Sequence, residues 1–221
     1  MQSKGVVAAL VAAALALPAQ ADVLAVKVGL DYFKSSADGS VAASDRDYDS
    51  ESNVSVYAAF EHPIPLLPNA MLRYNDMSNS TNQTKVDLTN ADLILYYELL
   101  DNPALELDLG IDYRIYDGEA TWAALENRDL DEGALLGYVR GRFNIVGTGL
   151  FVYTDIVAGD IDDKKIHDYQ LGAGYVMDFI PLLDLTAKVG YREHSFNVSG
   201  FNGISADITQ DGWFVGAELA F

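Results

Sequence analysis

Apolar and polar residues alternate strictly along much of this chain. Residues 105–115 place Leu, Leu, Leu, Ile, Tyr and Ile at every second position, with charged residues or Gly between them. The same period of two recurs in residues 169–177, 183–192 and 213–221. A period of two is typical of a β-strand with one apolar and one polar face. The pattern therefore predicts an all-β protein.

Turn-forming residues divide the alternating segments into ten predicted strands. These lie at residues 23–34, 52–62, 70–78, 88–100, 105–116, 134–143, 149–160, 166–177, 183–196 and 208–221.

The connections between these strands alternate in length. Short turns are predicted at 63–69, 101–104, 144–148 and 178–182, and longer polar loops at 35–51, 79–87, 117–133, 161–165 and 197–207. Short turns facing long loops, with an even number of strands, are typical of outer-membrane barrels. The predicted fold is an antiparallel up-and-down transmembrane β-barrel of about ten strands, within a range of roughly eight to twelve, with both termini in the periplasm.

Alternation alone does not decide which face points inward, because soluble β-sandwiches and lipocalin-like barrels alternate as well. A soluble periplasmic carrier with an apolar cavity is therefore an alternative. Tyr and Trp cluster near the predicted strand ends, which is typical of the aromatic girdles of membrane barrels. They include Tyr32, Tyr74, Tyr96, Tyr97, Tyr113, Tyr116, Tyr191 and Trp213.

The last predicted strand ends in an aromatic residue. Its alternation runs through Trp213, Val215, Ala217, Leu219 and Phe221. These five residues resemble the C-terminal signal by which the barrel-assembly machinery recognises outer-membrane proteins. The resemblance implies that this machinery is a partner of the chain.

The first 21 residues have the pattern of a secretory signal peptide. Lys4 precedes an apolar run from Val6 to Leu17, and the triplet 19–21 has the small residues of a cleavage site. The apolar run is shorter than the roughly 20 residues that a membrane helix needs. The sequence thus predicts a leader at 1–21 and a barrel at 22–221, located in the bacterial outer membrane.

Charge and cysteine content narrow the classes of partner. Cleavage of the leader would remove one Lys and no acid, leaving 200 residues with 13 Lys and Arg against 33 Asp and Glu, a net charge of −20. Such a charge argues against nucleic acid as a partner. The absence of Cys excludes disulfides and Cys-ligated metals.

Several stretches resemble a proteobacterial family of small outer-membrane proteins described only by their location. They are the leader ending LPAQAD, EHPIPLLPN at 61–69, LILYYELLDN at 93–102, LDLGIDYRIYDGE at 107–119, HDYQLGAGY at 167–175 and the closing strand. The resemblance implies a barrel in the outer membrane, in contact with its lipids and lipopolysaccharide. It implies no activity and no catalytic residues.

The face opposite the apolar one carries charges of both signs. The candidates for ion pairs in the lumen are Asp92, Glu106, Asp108, Asp112, Arg114, Arg140, Arg142, Asp168, Lys188 and Arg192. The same face also carries Lys27, Asp31, Glu61, Arg73, Glu98, Asp155, Asp184 and Glu218.

A barrel of about eight strands is filled by its own side chains, whereas open channels need about sixteen strands. Because buried charges must be paired, ten strands lined by acids and bases predict a lumen plugged by ion pairs. The expected role is structural or interactive, or the minor passage of a solute. A narrow passive channel for small solutes is the alternative.

A hydrolytic site at the rim is a further alternative. If the turn near Ile180 sets the register, Asp168 faces Arg192 and lies close to His194 near the outer rim. An Asp and His pair polarises water in omptin proteases. A working site also needs a group that stabilises developing charge, and no second motif supplies one. The sequence therefore predicts no enzyme.

Acids at alternate positions in residues 44–51 resemble the start of a calcium loop. Asp45, Asp47, Asp49 and Glu51 fit, but the Gly expected at the sixth position is missing. A solvated loop is expected, and weak divalent binding that bridges acidic loops to lipopolysaccharide phosphates is the alternative. Three scattered His make no metal site, and no cofactor is expected.

Overall fold

Ten strands form a closed antiparallel barrel, which confirms the predicted fold. The computed structural model describes residues 24–41, 44–64, 66–80, 84–117, 119–122, 125–129, 132–161, 164–180, 183–201 and 204–221. The barrel strands are β1(Ala25–Val41), β2(Ser44–Glu61), β3(Asn69–Asp76), β6(Asn90–Asp101), β7(Leu105–Tyr116), β10(Glu132–Asn144), β11(Leu150–Ile161), β12(Lys164–Ile180), β13(Leu183–Phe201) and β14(Ile204–Ala220).

The first and last strands close the barrel by pairing with each other. Fifteen register pairs join β1 to β14, from Lys27 opposite Ala220 to Val41 opposite Ala206. Next to the pair of Lys27 and Ala220, the backbones of Val26 and Phe221 exchange hydrogen bonds of 2.7 and 3.0 Å. Closure satisfies the backbone groups that the edges of an open sheet would leave unpaired.

The two ends of the barrel differ. We call one the short-turn end, because the connections 62–68, 102–104 and 145–149 lie there together with Ala25 and Ala220, where the barrel begins and ends. We call the opposite one the extended end. There β3 and β6 continue into β4(Ser78–Ser80) and β5(Thr84–Asp87), and β7 and β10 into β8(Glu119–Trp122) and β9(Leu125–Asp129). These four short strands form a second sheet in the order β4-β5-β8-β9.

The long loops predicted at 35–51, 117–133, 161–165 and 197–207 are wrong for most of their length. Strands β1 and β2 stay paired up to Val41 and Ser44, and β13 and β14 up to Phe201 and Ile204. The acidic segment 44–51 is therefore part of a strand, and its resemblance to a calcium loop is not reflected in the backbone. Within the described residues, no group of three or more His, Cys, Asp or Glu converges on a metal position.

The amphipathic pattern of the strands inverts along the barrel. Near the short-turn end, apolar side chains such as Leu30 and Val215 point outward, and charges such as Asp31 and Glu218 point inward. At the extended end the inner side is mainly apolar: Ala37, Met77, Leu88, Ile166, Phe196, Val198, Ala206 and Ile208 are buried there, together with the polar residues Ser35, Asn53, Asn79 and Gln210.

The outward positions invert at the same level. On β1 the outward series changes from Val28, Leu30 and Tyr32 to Lys34 and Ser36. A strand with polar outer and apolar inner positions is the kind found in a water-soluble barrel. These polar, Gly- and Ser-containing segments resemble loops in sequence, because their inner apolar residues are small or widely spaced.

Outward aromatic side chains border the apolar outer surface on both sides. Toward the extended end these are Tyr32, Tyr74, Tyr113, Tyr169 and Trp213, and toward the short-turn end they are Phe60, Tyr97, Phe143, Tyr175 and Phe221.

Two tyrosines predicted to belong to these girdles lie elsewhere. Tyr96 and Tyr116 share the strand parity of the lumen charges, and they are buried inside the barrel. Near Tyr96, two successive tyrosines take opposite faces, because Tyr97 points outward.

The predicted leader, residues 1–21, lies outside the described residues. In the described part of the chain, we find no helix with the length and apolar character needed to cross a membrane.

Candidate functional site in the barrel lumen

A bidentate ion pair lies at the centre of the lumen. Arg114 on β7 donates from Nε and Nη2 to the two carboxylate oxygens of Asp92 on β6, at 2.6 and 3.0 Å. The two residues are register partners, so the sheet itself places them side by side. Arg114 is 0% and Asp92 is 2% exposed.

Asp168 on β12 joins this pair to a second arginine. It accepts a hydrogen bond from Arg114 Nη2 at 3.1 Å, and it accepts two from Arg192 on β13, at 2.9 Å from Nε and 2.6 Å from Nη2. Arg192 also donates to Ser55 Oγ at 2.7 Å and to Asn75 Oδ1 at 3.0 Å. Since Ser55 and Asn75 belong to β2 and β3, this network crosses the lumen from wall to wall.

Two further ion pairs lie between this network and the short-turn end. Arg73 contacts both carboxylate oxygens of Asp155, at 3.1 and 3.2 Å, and Tyr138 donates to the same carboxylate at 3.1 Å. Lys188 lies 2.9 Å from Asp31, and its Nζ is 3.0 Å from the hydroxyl of Tyr57.

Tyr57 extends this contact across the barrel. Its hydroxyl donates to Glu218 on β14, so the ammonium group of Lys188, the phenol and the carboxylate form one chain of polar contacts.

The short-turn end contains a wider, partly exposed polar layer. Lys27 pairs with Glu61 at 2.6 Å, and Tyr96 donates to the same carboxylate at 2.8 Å. Arg142 Nε lies 3.6 Å from Glu106. These residues surround a cavity of about 230 Å³, into which Glu98, Asp101, Asp108, Arg140, Asp184 and Glu218 also face.

Three predicted ion-pair residues have no close partner of their own. Arg140 and Asp108 are register partners, yet neither has an ion pair or hydrogen bond with another described residue. Asp112 is 0% exposed, its nearest base is Arg114 at 3.8 Å, and neither of its oxygens accepts a hydrogen bond within the described residues. Alternation identifies such residues as inward, but it does not say whether partners reach them.

The register of Asp168 differs from the predicted one. Asp168 lies opposite His194, and Arg192 lies opposite Gln170. Asp168 still binds Arg192, because the long arginine side chain spans the two-residue offset. The prediction assumed a turn centred on Ile180, which would place Asp168 opposite Arg192. The observed pairing is displaced by two residues along β13, and the register also shifts between Met177 and Ile180.

His194 does not lie at an accessible rim. It is 0% exposed, with Arg114 and Tyr116 each 3.4 Å away and Asp168 at 3.6 Å. Phe196, the next inward residue on β13, is also buried. An Asp and His pair covered in this way is poorly placed to receive a substrate from the outer face.

Uncharged polar residues of the lumen were not singled out by the sequence reasoning. Ser55, Asn75, Tyr57 and Tyr138 supply hydrogen bonds to the buried charges. The sequence does contain a signal for these residues. Each lies two or four positions from another inward residue of the same predicted strand, so alternation places its side chain on the inner face.

The residues of the predicted assembly signal lie at the seam of the barrel. Val215, Leu219 and Phe221 point outward in register with β1, and Phe221 is 58% exposed. Trp213 packs edge-on against Tyr191 with ring centroids 5.5 Å apart. Ala217 occupies the outward position between Val215 and Leu219.

An apolar outer belt around a polar interior, with antiparallel strands closed on themselves, defines a transmembrane β-barrel. No protein-family model matches the chain, and no curated protein matches it in sequence. The resemblance to a proteobacterial family therefore stays a prediction.

Solved structures with a similar architecture are those of bacterial barrels. Neisserial surface protein A is 14% identical, with 91% of this chain and 99% of that chain covered and a TM-score of 0.40. The translocator domain of the autotransporter NalP from Neisseria meningitidis is 12% identical, with coverages of 98% and 96% and a TM-score of 0.48. The outer membrane protease OmpT from Escherichia coli is 12% identical, with 93% of this chain and 98% of that chain covered and a TM-score of 0.37. Likenesses this distant transfer no role to the chain.

Proposed function

We propose that this chain is an integral outer-membrane protein whose lumen is sealed by its own side chains, with a structural or interactive role rather than solute passage. The observation that carries the proposal is the network of Arg114, Asp168 and Arg192, which connects opposite walls of the lumen. Each guanidinium and carboxylate of this network has partners, as buried charges require.

The packed, mainly apolar interior of the extended end supports the same conclusion. Phe196, Ile208 and Leu88 are each 1% exposed or less, and they lie beyond the charged network on the way to that end. An ion entering from this side would have to leave water for a packed interior whose buried polar side chains are hydrogen-bonded to one another. This packed layer and the charged network, which follow each other along the lumen, favour a closed barrel over a narrow channel.

The alternatives have less support from the described residues. A hydrolase would need access to Asp168 and His194, which are 2% and 0% exposed. A lipocalin-like carrier would need an apolar cavity, but the larger cavity in the described part of the chain is lined mainly by charged residues.

The outer surface supports a membrane location. Its exposed apolar residues form one belt between two aromatic girdles, and such a belt is unfavourable in water. We assign the short-turn end to the periplasm and the extended end to the outside, with lipids and lipopolysaccharide around the belt. Divalent cations that bridge the acidic extended end to lipopolysaccharide phosphates remain part of the proposal.

Planar-bilayer recording tests the sealed lumen. The refolded protein, shown to be folded by a heat-dependent shift in gel mobility, is expected to give little conductance, because side chains fill the lumen. A large, stable, porin-like conductance from the wild-type barrel would contradict the plug and support a channel.

Deletion of Phe221 is expected to lower the amount of folded barrel in the outer membrane. The residue ends the seam strand, and its backbone bonds to Val26. The measurement is the level of heat-modifiable protein in membrane fractions. Phe143→Ala is the matched control, because Phe143 is 54% exposed in the same girdle but away from the seam. Equal membrane levels of the Phe221 deletion and the wild type would contradict the proposed assembly signal.

A further inference from the structure

The cavity at the short-turn end has more acids than bases in its walls. It is lined by seven carboxylates and three bases, an excess of four negative charges. Two of the bases already pair with carboxylates, Lys27 with Glu61 and Arg142 with Glu106. The third, Arg140, lines both this cavity and a smaller one further inside, so it lies at the floor.

Asp108 lines this cavity next to Arg140, its register partner, without forming a hydrogen bond or a close ion pair. The residue is 9% exposed, and it has no hydrogen bond or ion pair with another described residue. An ionised carboxylate in such a position is stabilised by a cation that enters the cavity. The buried network described above differs in this respect, since its aspartates Asp92, Asp155 and Asp168 are each bonded to an arginine.

The acids stand on opposite walls. In the closed order of ten strands, β7 with Asp108 lies five strands from β14 with Glu218, and β6 with Glu98 lies five strands from β13 with Asp184. Carboxylates across a cavity suit an elongated cation with a positive group at each end.

The size and geometry argue against a bare metal ion. One water molecule needs roughly 10–15 Å³ of cavity, so about 230 Å³ accommodates a small organic molecule. No group of acids or His in the described residues converges as metal ligands do. The mouth is accessible, because the side chains of Lys27 and Glu106 are 24% and 30% exposed.

We propose that this cavity binds a small organic cation with two or more amino groups, of the linear diamine or polyamine class. The ammonium groups donate charge-assisted hydrogen bonds to Asp108 and Glu98 on one side and to Glu218 or Asp184 on the other. The site goes beyond the sealed-lumen proposal, because a barrel closed in its middle still has one open end.

Isothermal titration calorimetry of the refolded barrel in a nonionic detergent tests this site. Putrescine and spermidine are the probes, 1,4-butanediol is the neutral analogue of putrescine, and magnesium chloride is the metal probe. Both amines are expected to bind, spermidine more tightly and with an affinity that falls as salt rises. Butanediol is expected to bind at least about tenfold more weakly, since a charge-assisted hydrogen bond corresponds to about a factor of ten. Mg²⁺ is expected to bind at least about tenfold more weakly as well, because it dehydrates reluctantly and no set of converging ligands lies in the described residues.

Variants locate the binding. Asp108→Asn is expected to weaken spermidine binding about tenfold, and Glu98→Gln serves as a second cavity variant should the first fail to refold. Asp160→Asn is the matched control: it removes the same charge at the extended end, where the side chain is 68% exposed and screened from the cavity. This control is expected to leave the affinity within about twofold of the wild type.

Several results would overturn the proposal. They are no binding of either amine, butanediol binding as tightly as putrescine, Mg²⁺ displacing spermidine from the cavity at equal concentration, or equal losses in Asp160→Asn and the cavity variants. Because the conductance experiment is independent of these titrations, failure of the amine site leaves the sealed-lumen proposal in place.

Discussion

Replacing Arg114 by Ala is expected to lower the free energy of unfolding of the barrel by about 3–5 kcal/mol. Arg114 is fully buried and bonded to Asp92 and Asp168, so its removal leaves carboxylates without their main partner. Losing one member of a buried ion pair exposes the remaining charge to the full desolvation penalty. Urea unfolding in detergent or lipid vesicles, followed by tryptophan fluorescence, measures the change.

Asp112→Asn is the matched control from the same cluster. Three arginines, Arg73, Arg114 and Arg192, face three bonded aspartates there, and Asp112 is a fourth acid whose oxygens accept no hydrogen bond within the described residues. Removing a surplus buried charge of this kind is expected to leave stability unchanged or raise it. A loss as large as that of Arg114→Ala would show that Asp112 has a partner essential to the plug. A loss below about 1 kcal/mol for Arg114→Ala would show that the lumen is hydrated.

The strand count and the closed topology were predictable because alternation extends over whole strands in the membrane region. In β7, and in β14 from Trp213 to Leu219, apolar residues occupy each outward position, and turn residues mark the short connections. The lipid side of a barrel must be apolar, so the sequence carries a strong signal there.

The extended end was not predictable by the same rule, because its pattern has the opposite sign. Ser36 and Asp38 point to water while Ala37 points inward, and a stretch of small and polar residues resembles a loop. Pairing between β1 and β2, rather than a continuous apolar face, keeps these residues extended. A pairing of this kind depends on the neighbouring strand, which local sequence does not describe.

Parity predicted which charges face the lumen, but not which atoms meet. Arg192 contacts Asp168 from an offset position, while Asp108 and Arg140 lie side by side without an ion pair. Partner choice depends on side-chain reach, strand tilt and the width of the lumen at each level. Those quantities arise only when ten strands close, which is why the cavity at the short-turn end has no signature in any single strand.

Leu30→Arg is expected to destabilise the membrane-inserted barrel by about 2–4 kcal/mol. Leu30 is 51% exposed in the apolar belt, between Val28 and Tyr32 on the outward side of β1. In the proposed membrane location this surface faces lipid, where a guanidinium has no water and no partner. Reversible unfolding from phosphatidylcholine vesicles, monitored by tryptophan fluorescence, gives the free-energy difference from the wild type.

Ser36→Arg is the control, because Ser36 lies on the same strand and the same outer side but beyond the aromatic girdle. A surface substitution in water usually stays within about 0.5 kcal/mol, so this variant is expected to unfold like the wild type. If the barrel were soluble, Leu30 would face water, and arginine there would be as well tolerated as at Ser36. Equal stability of the two variants would therefore reject the membrane location, whereas a loss confined to Leu30→Arg follows from a belt that faces lipid.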